Sequence, residues 1–280
     1  MSDAAQHVEA HITSAAGVEV FWQSWAPETP KAVVVIAHGL AEHSGRYAHV
    51  AERLAGSGYA VYALDHIGHG RSHGTMGNLN RMSFVLDDLD AIVRSAAGAH
   101  TGLPVFLLGH STGALITLDY VQTKGQGHLS GLVLSGAAID PSVGSPVERA
   151  LAGVLSRVAP NLAVTRLDSA TVSRDPAVVA AYDADPLNYH GRIRARTGAE
   201  ILASVDRVIS RMPTVTLSIL VMHGGADRLV SPKGSEIIAE QAASADLTHK
   251  VYDGLYHEIF NEPEQDEVLD DVVTWLDKHL

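Results

Sequence analysis

The pentapeptide GHSTG at residues 109–113 restricts the fold of this chain more than any other feature. It follows an apolar run at 104–108 that is typical of a buried strand, and it precedes helical spacing at 114–124. The pattern G-x-S-x-G between a strand and a helix is typical of a nucleophile elbow, a sharp turn that exposes the serine. Its glycines leave room for neighbouring backbone. The motif therefore predicts an α/β sheet with Ser111 exposed at the carboxyl edge.

Strand patterns alternate with helical patterns along the rest of the chain. Such alternation predicts a mainly parallel sheet that is covered by helices on both faces. The predicted strands lie near residues 8–12, 18–25, 31–37, 60–64, 105–108, 129–135, 217–222 and 247–252. The first two are short alternating segments, which predict an antiparallel hairpin at one edge of the sheet. The predicted fold class is therefore α/β.

One connection between predicted strands is too long for an ordinary crossover, at about eighty residues with helical patterns of its own. It predicts a helical lid at 138–212, inserted into a core made of 1–137 and 213–280. An apolar stripe on one lid helix either packs onto the core or contacts a lipid surface, and packing is the favoured interpretation because every amphipathic helix of a soluble protein has such a face. The stripe consists of Val147, Ala150, Leu151, Val154, Leu155 and Val158.

Charge and cysteine content exclude several classes of function. The formal net charge of −12 argues against a nucleic-acid partner and against electrostatic attraction to anionic lipids. The chain has no cysteine, which excludes disulfides, a thiol nucleophile and thiolate metal sites. The N-terminus lacks a signal-peptide pattern, and no apolar run is long enough to cross a bilayer. We therefore expect a cytoplasmic protein, in which any membrane contact is peripheral and hydrophobic.

Two residues after later strands can complete the machinery that a serine nucleophile needs. A serine hydroxyl requires a base, and the base requires a carboxylate that orients it. After an elbow serine, the acid and then the histidine follow in chain order, each in a loop after a strand. Asp227 follows the strand pattern at 217–222, and His257 follows the last strand pattern. The sequence therefore predicts a triad of Ser111, Asp227 and His257, with Asp253 as the alternative acid.

Stabilisation of a tetrahedral intermediate requires two preorganised N–H donors. The elbow motif assigns one donor to the residue after the nucleophile, the backbone of Thr112. The second donor comes from the loop after the strand pattern at 31–37, where His38, Gly39 and Leu40 follow. We therefore predict an oxyanion hole formed by the backbone amides of Leu40 and Thr112.

Three imidazoles fall close together in one glycine-rich segment, at His66, His69 and His73. Neither helix nor strand spacing presents all three together, and glycines interrupt them. We interpret the segment as a loop that supports the active-site edge, and we predict neither a metal ion nor an organic cofactor.

Five stretches of the chain together resemble the monoacylglycerol lipase family of α/β-hydrolases, particularly its bacterial members. The run HGLAEHSGRY is far more specific than the elbow, which the whole superfamily shares. Family members usually have methionine after the nucleophile and a second glycine after the elbow, where this chain has Thr112 and Ala114. The matching stretches are residues 38–47, 65–72, 109–113, 223–230 and 254–262.

The resemblance implies an α/β-hydrolase fold and cleavage of monoacylglycerols to fatty acid and glycerol through an acyl-enzyme. It implies the triad and oxyanion donors given above and a lipid ester as substrate. Transient contact of the lid with a membrane or micelle is a separate expectation, which rests on the apolar stripe of the lid helix. The resemblance further implies that Glu42 and Arg46 help to receive the glycerol head. The alternative for these two residues is a salt-bridged pair at a helix start.

Other functions could use the same residues. One is a carboxylesterase for another monoester, such as an aromatic ester, a short-chain alkyl ester or a lysophospholipid. A thioesterase or amidase could use the same triad, because the leaving atom leaves no mark on the nucleophile. A non-catalytic ligand-binding protein on this fold would typically lack a triad residue.

Overall fold

A sheet of eight strands forms the centre of the computed structural model, which describes residues 5–143 and 145–280, except for the side chains of 146–148. Two more strands pair with each other in the inserted segment. The ten strands are β1 (Gln6–Thr13), β2 (Glu19–Ala26), β3 (Ala32–Ala37), β4 (Tyr59–Leu64), β5 (Val105–His110), β6 (Gly131–Ser135), β7 (Ala163–Thr165), β8 (Ile193–Arg194), β9 (Ser218–Gly224) and β10 (Leu247–Tyr252).

The order of the main sheet is β1-β2-β4-β3-β5-β6-β9-β10. The strands from β4 to β10 in this order are parallel to one another, whereas β2 is antiparallel to both of its neighbours. The prediction of a mainly parallel sheet with a hairpin at one edge is therefore confirmed. Because the parallel strands share a direction, the loops after β3, β5, β9 and β10 meet at one edge of the sheet.

Helices cover both faces of the sheet, as the strand sequences require. The eight α-helices of the described residues are α1 (Ala48–Gly56), α2 (Met82–Ala99), α3 (Thr112–Lys124), α4 (Pro146–Val158), α5 (Pro176–Ala184), α6 (Ala195–Arg211), α7 (Lys233–Gln241) and α8 (Gln265–Lys278). In β3, Val33 and Val35 pack towards α2 and α3, and Val34 and Ile36 pack towards α1 and α8. This alternation explains the unbroken apolar run, since each successive side chain enters a different core.

The inserted segment between β6 and β9 contains α4, α5, α6 and the β7–β8 pair. Within it, α6 packs against α3, and its Val205 and Val208 belong to the main core. By contrast, Leu151, Val154 and Val158 on α4 are 54%, 54% and 74% exposed. The side chain of Val147, also in the predicted stripe, lies outside the described residues. The lid bounds of 138–212 stay a prediction.

The helices of the described residues include none with the length and apolar character that crossing a bilayer requires.

Candidate active site

Ser111 occupies the sharp turn between β5 and α3, with φ 55° and ψ −120°. A non-glycine residue at positive φ is strained, and such strain is typical of a nucleophile elbow. The two motif glycines are required by close backbone approach. A Cβ at Gly113 would lie 2.0 Å from the carbonyl oxygen of Ala37, and one at Gly109 would lie 2.5 Å from that of Gly113. The turn thus lifts Ser111 to the carboxyl edge of the sheet.

Asp227 and His257 meet at the same edge, in the loops after β9 and β10. The Asp227 Oδ2 atom lies 2.7 Å from His257 Nδ1. Burial alone would raise the pKa of Asp227, but hydrogen bonds from His223 and His257 outweigh it and hold that pKa below its ordinary value. An ionised carboxylate can only accept, so His257 Nδ1 donates in this hydrogen bond, and the acceptor position of a neutral imidazole is then Nε2.

The Asp227 carboxylate is held by three further donors. Its Oδ1 atom accepts from the amides of Leu229 and Val230 at 2.8 and 2.9 Å. His223 Nε2 lies 3.0 Å from Oδ2. His223 was not among the residues predicted from the sequence, although its position near the end of β9, just before the loop of Asp227, was a usable signal. These donors fix the carboxylate in the orientation that His257 requires.

Leu40 and Thr112 line one pocket together with Ser111 and His257. The loop that contains Leu40 approaches the serine closely, because a Cβ at Gly39 would lie 3.2 Å from Ser111 Cβ. Within the described residues, neither amide donates to a protein acceptor. Both N–H groups are therefore free to bind an oxyanion in this pocket.

Glu42 and Arg46, the residues linked to substrate binding by resemblance, form a buried ionic cluster with Glu258. Arg46 Nη1 donates to Glu42 Oε2 at 2.8 Å and to Glu258 Oε1 at 2.6 Å. Arg46 Nη2 donates to Glu258 Oε2 at 2.7 Å. Glu42 and Glu258 line the pocket. Sequence reasoning missed Glu258, and its position beside His257 was the available signal.

The histidine-rich loop is divided between the interior and the surface. His66 and His69 are buried beside His38, with ring centroids 4.2 and 5.7 Å from that of His38. Burial lowers the pKa of His66 to about 3, so this imidazole is neutral. The His73 side chain is 64% exposed and lies 3.8 Å from Glu19. The structure therefore brings two of the three imidazoles together, against His38.

A strained serine, a hydrogen-bonded Asp–His pair and two free amides at one pocket define the chain as a serine hydrolase of the α/β-hydrolase class. Residues 28–264 match the family model described as serine aminopeptidase, S33. The chain is 46% identical over 266 residues to a monoacylglycerol lipase of Mycolicibacterium smegmatis, a match that covers 94% of this chain and 95% of that protein.

Other relatives agree with this match. The monoglyceride lipase of Homo sapiens is 36% identical over 255 residues, which covers 90% of this chain and 84% of that protein. The crystal structure of the Paleococcus ferrophilus monoacylglycerol lipase superposes with a TM-score of 0.84 at 33% identity, and covers 94% of this chain and 100% of that one. The chain therefore belongs to the monoacylglycerol lipase family and is a carboxylic ester hydrolase of the serine type. The predicted resemblance and fold class are confirmed.

Proposed function

We propose that this protein hydrolyses the ester bond of monoacylglycerols, and that fatty acid and glycerol are the products. The observation that carries the proposal is the 46% identity, along nearly the whole chain, to a relative named as a monoacylglycerol lipase. The geometry of the pocket supports it, because Ser111 and His257 share that pocket with residues of the inserted segment such as Leu167 and Val172. An apolar wall of this kind suits a fatty-acyl chain.

The proposed mechanism proceeds through an acyl-enzyme. His257 Nε2 takes the hydroxyl proton as Ser111 Oγ attacks the ester carbonyl carbon. The amides of Leu40 and Thr112 donate to the oxyanion of the tetrahedral intermediate. The carbon–oxygen bond to glycerol then breaks, and His257 gives the proton to the leaving alkoxide. Water, deprotonated by the same nitrogen, then attacks the carbonyl carbon of the acyl-enzyme. The bond from that carbon to Ser111 Oγ breaks, His257 returns the proton to Ser111, and the fatty acid leaves.

Asp227 stabilises the imidazolium that forms on His257 in both steps and keeps the proton on Nδ1. The 2.7 Å hydrogen bond between the two residues supports this role. Because hydrogen bonds hold the pKa of Asp227 below its ordinary value, the carboxylate stays charged at neutral pH.

We further propose that the polar end of the pocket, which Glu42 lines, receives the glycerol head. Both Glu42 oxygens already accept from protein donors, but a carboxylate oxygen can accept more than one hydrogen bond. Arg46 is not among the residues that line the pocket, and it contacts the carboxylate of Glu42, which is.

The lid is proposed to contact a membrane or micelle through α4. The support is the exposure of Leu151, Val154 and Val158, which lie three or four residues apart on one face of that helix. Val143 and Leu162, which flank the helix, are also 56% and 47% exposed. Exposed apolar side chains of this kind suit insertion into an aggregated lipid substrate.

A second candidate function is hydrolysis of a non-glyceride ester, and Thr112 is the observation that favours it. Thr112 directly follows the nucleophile in the chain and lines the pocket. Family members usually have methionine at this position. A smaller side chain there leaves more space next to the acyl carbon, which suits a branched or aromatic acyl group.

The test is steady-state hydrolysis of mono-, di- and triacylglycerols and simple aromatic esters, with Ser111→Ala as the control. The proposal predicts selective turnover of monoacylglycerols that is abolished in the control. Preference for an aromatic ester would support the second candidate function. Activity that persists in Ser111→Ala would remove Ser111 from the mechanism.

A further inference from the structure

Arg46 connects two loops that each contain a proposed catalytic group. The first, here the oxyanion loop, comprises residues 38–42 and contains the Leu40 amide. The second, here the histidine loop, comprises residues 254–261 and contains His257. Arg46 donates to Glu42 in the oxyanion loop and, with both terminal nitrogens, to Glu258 in the histidine loop. One side chain therefore bridges segments that lie more than 200 residues apart in sequence.

Each carboxylate of the cluster lies next to a proposed catalytic group. Glu42 Oε1 accepts from the amide of Gly39 at 2.6 Å, one peptide unit before the Leu40 amide. Glu258 directly follows His257 in the chain. The distance between the two carboxylates is set by Arg46, because its guanidinium is planar and holds Glu258 through two parallel hydrogen bonds. The bridge therefore fixes the oxyanion loop relative to the general base.

The cluster is shielded from solvent, so each of its charges depends on the others for compensation. The Arg46 side chain is 10% exposed, and those of Glu42 and Glu258 are each 5% exposed. The Tyr182 ring of α5 lies 4.8 Å from the guanidinium carbon. Without Arg46, two carboxylates would remain buried near one another with no cation between them, and the loops that hold them would move apart.

The remaining donors to the cluster cannot replace Arg46. Tyr47 donates to Glu42 Oε1 at 2.7 Å, and Asn261 donates to Glu258 Oε2 at 3.0 Å. Each of these contacts lies within one side of the cluster, and neither connects Glu42 to Glu258. The connection between the two loops at this point therefore depends on the guanidinium.

We infer that Arg46 is a positioning residue, which holds the Leu40 amide and His257 in their productive relative geometry through Glu42 and Glu258. In this role it does not contact the substrate. The inference rests on the proposed mechanism, but it does not depend on which ester is the natural substrate. The family resemblance implies that Arg46 helps to receive the glycerol head. For Arg46, the positioning role replaces that role, whereas the proposal for Glu42 is unchanged.

The test compares Arg46→Met and Arg46→Lys with the unmodified enzyme, on a monoacylglycerol and on p-nitrophenyl butyrate, which has no glycerol. A small misplacement of catalytic groups lowers kcat by about 10- to 100-fold. We expect a loss of this size for Arg46→Met, by a similar factor on both esters, with KM changed by less than about threefold. Arg46→Lys keeps the charge but not the paired hydrogen bonds, so it should restore only part of the loss.

Arg207→Met is the matched control, because Arg207 also pairs with a buried carboxylate, that of Asp119, away from the pocket. It should lower the unfolding temperature and leave kcat near its normal value. If Arg46→Met does not fold, Glu258→Gln replaces it, since glutamine keeps the shape and removes one charge of the cluster. The same fall in kcat on both esters is then expected.

Two results would overturn the inference. A loss confined to the monoacylglycerol and expressed in KM would mean that Arg46 binds the glycerol head. An unchanged kcat on both esters, with only a lower unfolding temperature, would make the cluster purely structural. If monoacylglycerols are not the substrate, the result differs from both of these. The unmodified enzyme would then cleave p-nitrophenyl butyrate and leave monoacylglycerols intact.

Discussion

His38 donates a 2.7 Å hydrogen bond from Nδ1 to the carbonyl oxygen of Gly39. The tautomer follows from the other nitrogen, since His38 Nε2 accepts from the amide of His66 at 2.9 Å. Burial and the neighbouring imidazoles hold the pKa of His38 well below its ordinary value, so the ring stays neutral. The Gly39 carbonyl belongs to the same peptide unit as the Leu40 amide. His38 therefore sets the direction of a proposed oxyanion donor.

Substitution of His38 should weaken stabilisation of the oxyanion. We expect His38→Ala to lower kcat on p-nitrophenyl butyrate by about 10- to 100-fold, because the Gly39–Leu40 peptide is then free to rotate. His38→Asn should retain more activity, since an amide nitrogen can donate in place of Nδ1. Steady-state kinetics of both variants check the order. Equal activity of the alanine variant and the unmodified enzyme would contradict the role of His38.

Thr112 and Ala114 differ from the usual family residues, but only Thr112 lines the pocket. Ala114 is fully buried in the main core. We therefore expect Thr112→Met to slow branched and aromatic acyl esters relative to straight-chain ones by at least about threefold, because added volume narrows the space next to the acyl carbon. Ala114→Gly is the control and should leave that ratio unchanged, while it lowers stability by ~1 kcal/mol. The ratio of kcat/KM values for the two ester types is the measurement.

A charge on the exposed face of α4 should separate lipid contact from packing. Leu151 is 54% exposed, so Leu151→Glu should leave the unfolding temperature unchanged. If α4 contacts lipid, hydrolysis of micellar substrate should fall several-fold more than hydrolysis of monomeric substrate, measured on either side of the critical micelle concentration. Val251→Glu, at a residue that is 44% exposed on β10, is the matched control. An equal loss of both rates in Leu151→Glu would instead indicate altered packing of the lid.

Asp88 makes stability depend on pH in the acidic range. Burial raises the pKa of this α2 carboxyl to about 6, although a hydrogen bond from Ser14 opposes the shift. The folded state therefore binds the proton more tightly than the unfolded state, whose ordinary pKa is about 4. The free energy of unfolding should fall as pH rises from about 4 to about 6, by ~1–2 kcal/mol from this group.

Chemical denaturation of two variants across that pH range tests the role of Asp88. Asp88→Asn should flatten this part of the pH dependence, because the titrating group is gone. Ser14→Ala should steepen it, since loss of the hydroxyl donor raises the carboxyl pKa further. Unchanged slopes in both variants would show that another group causes the acid dependence.

The chain order of motifs made much of the fold and of the candidate site predictable. Parallel strands place their following loops at one edge, so Asp227 and His257 could be assigned from their positions after the last two strands. The elbow could be assigned because backbone approach at Gly113 excludes any side chain. These are local requirements of backbone geometry, and they leave a readable pattern of residue types.

The supporting contacts were less predictable. Glu258 follows the predicted His257 and His223 lies four residues before the predicted Asp227. The direction of each side chain nevertheless depends on which loop packs against it. Sequence patterns also assigned all of 138–212 to one inserted unit, whereas α6 within it shares the main core through Val205 and Val208. Helical periodicity shows that a face is apolar and does not show which surface covers it.

The sequence by itself determined the fold class, the elbow at Ser111 and the family. The reason is that strand periodicity, helix periodicity and close backbone approach each constrain residues that are only a few positions apart. Such constraints leave a recognisable pattern of residue types in the sequence. Only the tertiary structure decided that Arg46 pairs with Glu258 and that Leu151, Val154 and Val158 of α4 are exposed. Both relationships depend on how segments far apart in the chain pack against one another, which local sequence patterns do not show.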